Sequence, residues 1–568
     1  MRTSVSSDER PLDRRWWKEA VVYQIYPRSF RDSDGDGVGD IPGIVEKVDY
    51  LDSLGVDVVW LCPVYDSPNV DNGYDIRDYR SILAAFGDMT DWETLCSALH
   101  ERDIRLIMDL VVNHTSDEHE WFQRSRRRDP GYEDYYHWRD GPPDQPPNNW
   151  ESNFGGPAWT YDEVREQWYL HLFDAKQPDL NWRNPDVRED VREMVTWWLE
   201  KGIDGFRMDV INFISKADGL PDGDPDNSPV GAEHYVDGPR VHEYLRELYD
   251  TTFSNYDIVT VGEMPRTPVE EAGEYLGEDG DGLSMIFHFE HMSLDEGPRG
   301  RWDVEEWGDW DLREFKAVVT RWQDGLRDEG WNSLYLGNHD QPRIVSRFGD
   351  DGAYRERSAK LIATFLLTMR GTPFVYQGDE LGMTNADFRS LDEVDDTWTV
   401  GMVERLLASG AIDSYAEIHD LVNYRTRDHS RTPMQWSDDS NAGFTDGDPW
   451  LKVNANYAEV NCEAAMANED SVWHFYRRLV DLRHDEDVLV YGDYDLLLPD
   501  HEQFYAYTRT LGDDRLLVVL NWSGDPATFE GAAVDAADAD VVVANYDDAS
   551  TPPAGREFRP YEAVLYRL

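Results

Sequence analysis

The stretch Gly205-Phe-Arg-Met-Asp-Val-Ile-Asn212 decides the reading of this chain. It places an arginine and an aspartate two residues apart inside an apolar run. In a strand, residues two apart share a face. Arg207 and Asp209 are therefore expected to point one way, with Phe206, Met208 and Val210 on the other. A charged pair on an apolar strand is costly unless its face lines a site. Arg207 would also hold Asp209 ionised, the state a carboxylate nucleophile needs.

Working outward, similar short β-type runs recur at Val21–Tyr26, Val56–Leu61, Leu106–Val112, Ile258–Val261, Leu283–Phe289, Ser333–Leu336 and Thr372–Tyr376. Helix-like stretches such as Arg188–Lys201 and Asp311–Glu329 alternate with them. Eight β/α units predict an α/β fold, a closed (β/α)8 TIM barrel. The gap of roughly ninety residues before Gly205 is too long for a barrel loop. It is read as an inserted subdomain at 115–182, after the third strand. The barrel then comprises 1–114 and 183–490. Phe504–Thr510 and Leu516–Trp522 alternate with turn residues, which predicts a C-terminal antiparallel β-sandwich over 491–568.

Composition narrows the setting. The 54 Lys+Arg face 115 Asp+Glu, a formal net charge of −61, and only eight of the cations are lysines. Self-repulsion at this density calls for screening, so the chain is expected to work in a high-salt cytosol. A hydrophobic share of 40% with 22 Trp, 30 Tyr and 20 Phe excludes a disordered acidic protein. An anionic surface excludes nucleic acid as a natural partner. Cys62, Cys96 and Cys462 form neither a metal motif nor a disulfide framework. The opening MRTSVSSDERPLDRRWW has no apolar signal core, and no run reaches membrane-span length. A cytoplasmic monomer or small homo-oligomer is expected.

Polar clusters follow the strands: Asp109 to Asn113-His114, Arg207 with Asp209, Gly262-Glu263-Met264, and Asn338-His339-Asp340. The carboxylates Asp209, Glu263 and Asp340 would converge with two histidines and an arginine on one barrel mouth. Two carboxylates flanking a glycosidic bond are what retaining hydrolysis requires, and a third can grip sugar hydroxyls.

Taken together these segments resemble the α-amylase superfamily of glycoside hydrolases. Gln177-Pro-Asp-Leu-Asn181, Gly371–Met383 and Arg431-Thr-Pro-Met-Gln-Trp436 bring the chain nearest to its oligo-1,6-glucosidase group. The resemblance implies Asp209 as nucleophile, Glu263 as general acid/base and Asp340 as transition-state stabiliser. It implies that His114 and His339 bind sugar hydroxyls and that Arg207 orients Asp209. Asp71 and Tyr74, in the segment Asp71-Asn-Gly-Tyr74, would grip and stack on the terminal glucose, with Phe173 adding apolar wall. Arg431 would pair with Asp71 or Asp340, a choice shared with nearby Arg427. Val210 and Met264 accompany α-1,6 specificity in that group. Long inserted loops favour exo-action on short oligosaccharides, with glucosyl transfer alongside hydrolysis. The alternatives are an α-1,4-preferring maltase or sucrose-cleaving enzyme and a trehalose synthase-like isomerase. A catalytically silent ectodomain of a transporter subunit fails, because the carboxylates are present and no anchor is visible.

The segment Asp32-Ser-Asp-Gly-Asp-Gly-Val-Gly-Asp40 imitates the start of an EF-hand loop, with Gly37 at the turn. It departs at the twelfth position, where Gly43 replaces the closing Glu. Hard oxygen ligands suit Ca2+ or Mg2+. The resemblance implies a structural Ca2+ held by the side chains of Asp32, Asp34, Asp36 and Asp40 and the Val38 carbonyl. No organic cofactor is implied.

Overall fold

The computed structural model describes residues 12–277, 282–298, 300–308, 310–328, 330–549 and 552–568. The first eleven residues of the opening segment and Glu329, the expected end of one helix, lie outside them. Eight parallel strands form the centre: β1 Val22–Ile25, β2 Val58–Leu61, β3 Arg105–Val111, β4 Gly205–Asp209, β5 Val259–Glu263, β6 Met285–Phe287, β7 Ser333–Leu334 and β8 Thr372–Tyr376. Their hydrogen-bonded order is β6-β5-β4-β3-β2-β1-β8-β7. A parallel bridge between Ile286 and Asn332 joins the two outer strands. The expected barrel is present.

Local sequence explains the elements. The helix Pro185–Lys201 starts where Asn184 caps it, its side chain accepting from Asp186 N–H, with proline in the first turn. It stops at Gly202 in the left-handed conformation. Gly205 opens β4 at φ 152°, and a Cβ there would lie 2.0 Å from the Val259 carbonyl oxygen. Only glycine lets β4 lie this close against β5.

The register sets the chemistry. Arg207 lies beside Asp109 of β3 and Val261 of β5. Below this layer, Trp60 of β2, Phe287 of β6 and Phe374 of β8 pack at centroid distances of 4.6–6.2 Å. The barrel centre is thus filled by side chains contributed from alternate strands, and it supplies an apolar floor.

Two readings change at strand ends. Val210 does not continue the alternation of β4: it turns into the left-handed region at φ 33°, opening a 3-10 turn. Its side chain packs with Trp150, Phe213 and Tyr235 rather than beside Phe206 and Met208. The seventh and sixth strands are also shorter than expected. Tyr335 leaves the ladder to donate its hydroxyl to the His288 carbonyl at 2.7 Å.

The segment after β3 carries an antiparallel sheet of Trp138–Arg139, Gln167–Leu170 and Trp159–Asp162. It returns to the barrel through bridges His114–Asp179 and Tyr136–Leu180. Lys216, fully buried beyond β4, locks that return with Nζ 2.6 Å from Asp179 and 2.7 Å from Asn113 Oδ1. At the C-terminal end, five antiparallel strands run in the order Asp493–Leu497, Phe504–Leu511, Asp514–Asn521, Ala563–Arg567 and Asp540–Ala544. One face packs Phe504, Leu517 and Val564 against Phe529 and Phe558. Tyr507 on the other face meets Thr368 at 2.6 Å. Among the described residues, no helix is long and apolar enough to cross a membrane.

Candidate active site

The four clusters converge at the carboxyl ends of the strands. Arg207 is 1% exposed and forks between three carboxylates. Its Nη1 donates to Asp109 Oδ1 at 2.5 Å and to Asp209 Oδ1 at 2.7 Å, while its Nη2 lies 2.7 Å from Glu263 Oε1. The other Glu263 oxygen accepts from the Val210 N–H at 3.0 Å. The turn at Val210 thus aims a peptide donor at the second carboxylate. Trp60 Nε1 donates to Asp109 at 2.8 Å, and the guanidinium stands over Trp60 and Tyr74 at 5.3 and 5.8 Å.

Desolvation by this apolar floor separates the carboxylates. Burial pushes Glu263 up to about 8, against Arg207, with the charge of Asp209 adding to the rise. Burial raises Asp209 to about 6, with Arg207 opposing it and Asp109 adding to it. Asp340 takes the opposite course. Burial would raise it, but His339, Arg427, Arg431 and Arg207 outweigh that and hold it well below the usual range. One acid poised to be protonated beside one poised to be ionised is the division of labour that general acid catalysis needs.

The remaining expected residues fall around this pair. Asp71 is buried and meets Arg427 Nη2 at 3.1 Å and Gln177 Nε2 at 3.2 Å. Tyr74 lies parallel to His339 with centroids 5.2 Å apart. His114 directs Nε2 at the Tyr74 carbonyl, 3.1 Å away, and its ring meets Phe173 at 5.2 Å. His339 Nε2 lies 3.3 Å from Asp340 Oδ2.

Between the two arginines the structure chooses. Arg431 Nη2 reaches Asp340 at 2.9 Å and its Nε donates to the His339 carbonyl. Arg427 bridges Asp340 at 3.2 Å to Asp71, and Asp396 holds it from behind at 2.8 Å. The Asp71 partner is therefore Arg427. The two arginines are one helical turn apart, so they present successive guanidinium groups to the same carboxylate.

Arg427 was visible only as a neighbour of the Arg431 motif. Gln177 was visible inside its motif without its contact to Asp71. Asp396, Phe154 and Trp398 carried no sequence signal, because strands and loops far apart in the chain bring them together. Phe154 stacks on Trp398 at 5.8 Å, and both face Arg427, at 5.4 and 5.9 Å.

The acidic loop after β1 docks by Gly37, where a Cβ would meet the Asp448 carbonyl at 1.9 Å. Carboxylate oxygens of Asp32, Asp34 and Asp40 lie within 4.8 Å of one another. Asp36 is outside that group: it is exposed, and its Oδ1 accepts from the Val38 N–H at 2.8 Å. Asp40 also caps the following helix through Gly43 N–H. Three carboxylates, not four, converge there.

A sequence model of the α-amylase catalytic domain matches residues 24–492. The chain belongs to the α-amylase family. The oligo-1,6-glucosidase of Halalkalibacterium halodurans is 52% identical over 98% of this chain and 99% of its own. Two solved relatives share the fold. The trehalose-6-phosphate hydrolase of Bacillus licheniformis superposes at TM-score 0.91 with 45% identity, over 98% of this chain and 100% of its own. The isomaltulose synthase of Klebsiella sp. LX3 superposes at 0.93 with 44% identity, over 98% and 100%. The chain is thus an α-amylase-family glycoside hydrolase, and its relatives support an α-glucosidase function.

In an enzyme of this family, two carboxyls raised by different amounts set the expected pH response. Below about 6 the Asp209 carboxyl takes up a proton and loses the charge that the nucleophile role expected from the sequence requires. Above about 8 Glu263 loses the proton that the acid role expected from the sequence would use. A bell-shaped kcat/KM profile is expected, with limbs near these values belonging to the coupled pair. A profile flat from pH 5 to 9 would contradict the division of roles.

Proposed function

We propose an exo-acting, retaining α-glucosidase that removes terminal glucose from short oligosaccharides, with α-1,6 linkages preferred. The observation that carries the exo reading is the Asp71–Arg427 ion pair, backed by Asp396 and covered by Phe154 and Trp398. Desolvated charges tied this way form a fixed wall, because parting them leaves buried ions unpaired. In this reading such a wall beside the carboxylates admits a terminal sugar and denies a chain running through.

In this reading Glu263 protonates the glycosidic oxygen while Asp209 attacks the anomeric carbon. The leaving sugar departs with that proton, and a glucosyl ester forms on Asp209. Glu263, now ionised, takes a proton from water, whose oxygen releases glucose with its configuration retained. The retaining geometry is supported by Arg207 serving both carboxylates at 2.7 Å. An inverting pair needs about 6.5–9.5 Å to admit water. Asp340 stays ionised to grip hydroxyls and favour the distorted ring.

The linkage preference rests on Val210 and on the oligo-1,6-glucosidase relatives. Val210 lies between the Glu263 contact and an apolar cluster with Phe213 and Tyr235. Val210→Thr puts a hydroxyl into that wall. One such contact is worth about 1–3 kcal/mol. The isomaltose-to-maltose ratio of kcat/KM is expected to fall by about tenfold. Side-by-side kinetics on isomaltose, maltose and sucrose in molar salt test it. A native enzyme faster on maltose would overturn the linkage assignment. The isomaltulose synthase neighbour keeps an isomerising reading open, and product analysis decides it: accumulation of an isomerised disaccharide in place of glucose would displace hydrolysis.

We further infer a structural divalent cation, Ca2+ or Mg2+, at Asp32, Asp34 and Asp40. Converging carboxylates fit a hard ion. It would pin the loop after β1 and take no part in the reaction. The acidic, lysine-poor composition supports a high-salt setting.

A further inference from the structure

His339 is sealed at the edge of the site, clamped between Tyr74 at 5.2 Å and Tyr26 at 6.2 Å, both nearly parallel to it. Its Nε2 faces Asp340 Oδ2 at 3.3 Å, without a well-aligned protein partner among the described residues. Its Nδ1 lies 2.8 Å from the side-chain amide nitrogen of Gln24. Gln24 sits mid-way along β1, 1% exposed, in register with Trp60 and Tyr376.

The proton inventory fixes which nitrogen of His339 is protonated. Asp340, ionised beside Arg427 and Arg431, can only accept. The Nε2 facing it must therefore carry hydrogen. Burial keeps the imidazole neutral, so it holds one proton and Nδ1 is a lone pair. A buried lone pair calls for a donor, and an amide NH2 provides it. The second N–H of Gln24 has its own acceptor, Cys62 Sγ at 3.1 Å. A carbonyl oxygen in its place would force the proton onto Nδ1 and turn a lone pair toward the carboxylate.

We propose that Gln24 is a positioning residue: its amide donates to His339 Nδ1, fixes the Nε2–H tautomer and keeps a proton aimed into the sugar site beside Asp340. The partner of one ring nitrogen dictates the state of the other. The proposal rests on the reading of His339 and Asp340 as sugar-facing groups. It extends that reading to a residue on the first strand that touches no sugar.

Three measurements test it. In native enzyme labelled with 15N-histidine, the His339 signal, assigned by its loss in His339→Ala, is expected to show unprotonated Nδ1 and protonated Nε2. The opposite tautomer would overturn the proposal whatever the enzyme hydrolyses. Gln24→Glu, almost the same size, replaces the donor by an acceptor. It is expected to protonate Nδ1 and to lower kcat/KM by about 10²-fold, the scale of a lost hydrogen bond to a charged group. It should also add a His339 titration to the pH profile. Gln24→Met, which removes the donor without imposing an acceptor, should cost about tenfold and leave the two tautomers mixed. A packing role predicts the reverse order, with Glu the milder change, and that order would refute the assignment. If Gln24→Glu fails to fold, the native spectrum and the Met variant still decide.

Discussion

Asp209→Asn is expected to lower turnover by at least about 10⁴-fold while leaving the fold unchanged. The amide is isosteric and its oxygen can still accept from Arg207 Nη1, now 2.7 Å from Oδ1. What it lacks is a charged oxygen to form the glucosyl ester. Burial still favours the protonated form of Glu263, although the Asp209 charge that added to its rise is gone, so binding is expected to be retained while kcat falls. A shorter variant, Asp209→Gly, opens space on the same face of the sugar. Azide supplied there with an activated aryl α-glucoside is expected to yield β-glucosyl azide: nitrogen bonds the anomeric carbon as the C–O bond breaks and the aryloxide leaves. Retained turnover in the Asn variant, or α-configured azide product, would remove Asp209 from the nucleophile's place.

Arg207→Met is the second large effect. Arg207 lies within reach of Asp109, Asp209 and Glu263 at once. Without it, three buried carboxylates share a site floored by Trp60. Removing one partner of a buried pair costs about 3–5 kcal/mol, here with three anions left over. The sign of the pH dependence follows. Carboxyls whose folded-state pKa is raised bind more protons folded than unfolded, so stability falls as pH rises from the unfolded value through the folded one. In the native chain that window ends near 6 for Asp209 and near 8 for Glu263. In the variant both should move higher, because the cation opposing burial is gone. Arg207→Met should therefore be close to native in thermal midpoint near pH 4. It should lose stability progressively toward pH 8, with kcat/KM down by about 10³-fold or more. A uniform loss of stability across pH would show that Arg207 contributes packing alone. Arg207→Lys keeps the charge but not the fork, and should recover stability more than activity.

These two residues show how far the chain could be read. Gly205–Asp209 announced a strand with one polar face, because alternation in a strand has period two. Eight such runs separated by helical stretches are enough for a barrel. The strand ends were less legible. Val210 fits an apolar strand position in every local respect, yet it turns to φ 33° so that its N–H can reach Glu263. That turn answers a carboxylate fifty-three residues away, and local propensity does not record it. The metal loop shows the same limit: the resemblance implied four aspartate ligands, whereas the fold brings the carboxylates of Asp32, Asp34 and Asp40 together and leaves Asp36 outside that group.

The arginine near residue 430 was open between two candidates for a physical reason. Residues four apart on a helix share a face, so sequence cannot rank them. The docking of that helix beside Asp340 ranks them, giving Asp71 to Arg427 and sharing Asp340 between both. Asp396 and Gln24 belong to the same class of information. Each is an ordinary residue in an ordinary stretch until the fold sets it behind a charged or protonated group.

By itself, the sequence determined the barrel, the strand that carries Asp209, and the three carboxylates of the candidate site. Periodicity and the order of short motifs are properties of the chain alone. Only the tertiary structure decided what those carboxylates are. Burial over Trp60 and the charge of Asp209 push Glu263 up to about 8 against the pull of Arg207, while Arg427 and Arg431 hold Asp340 ionised. Protonation depends on dielectric and on distances to charges across the barrel, and strand register sets both.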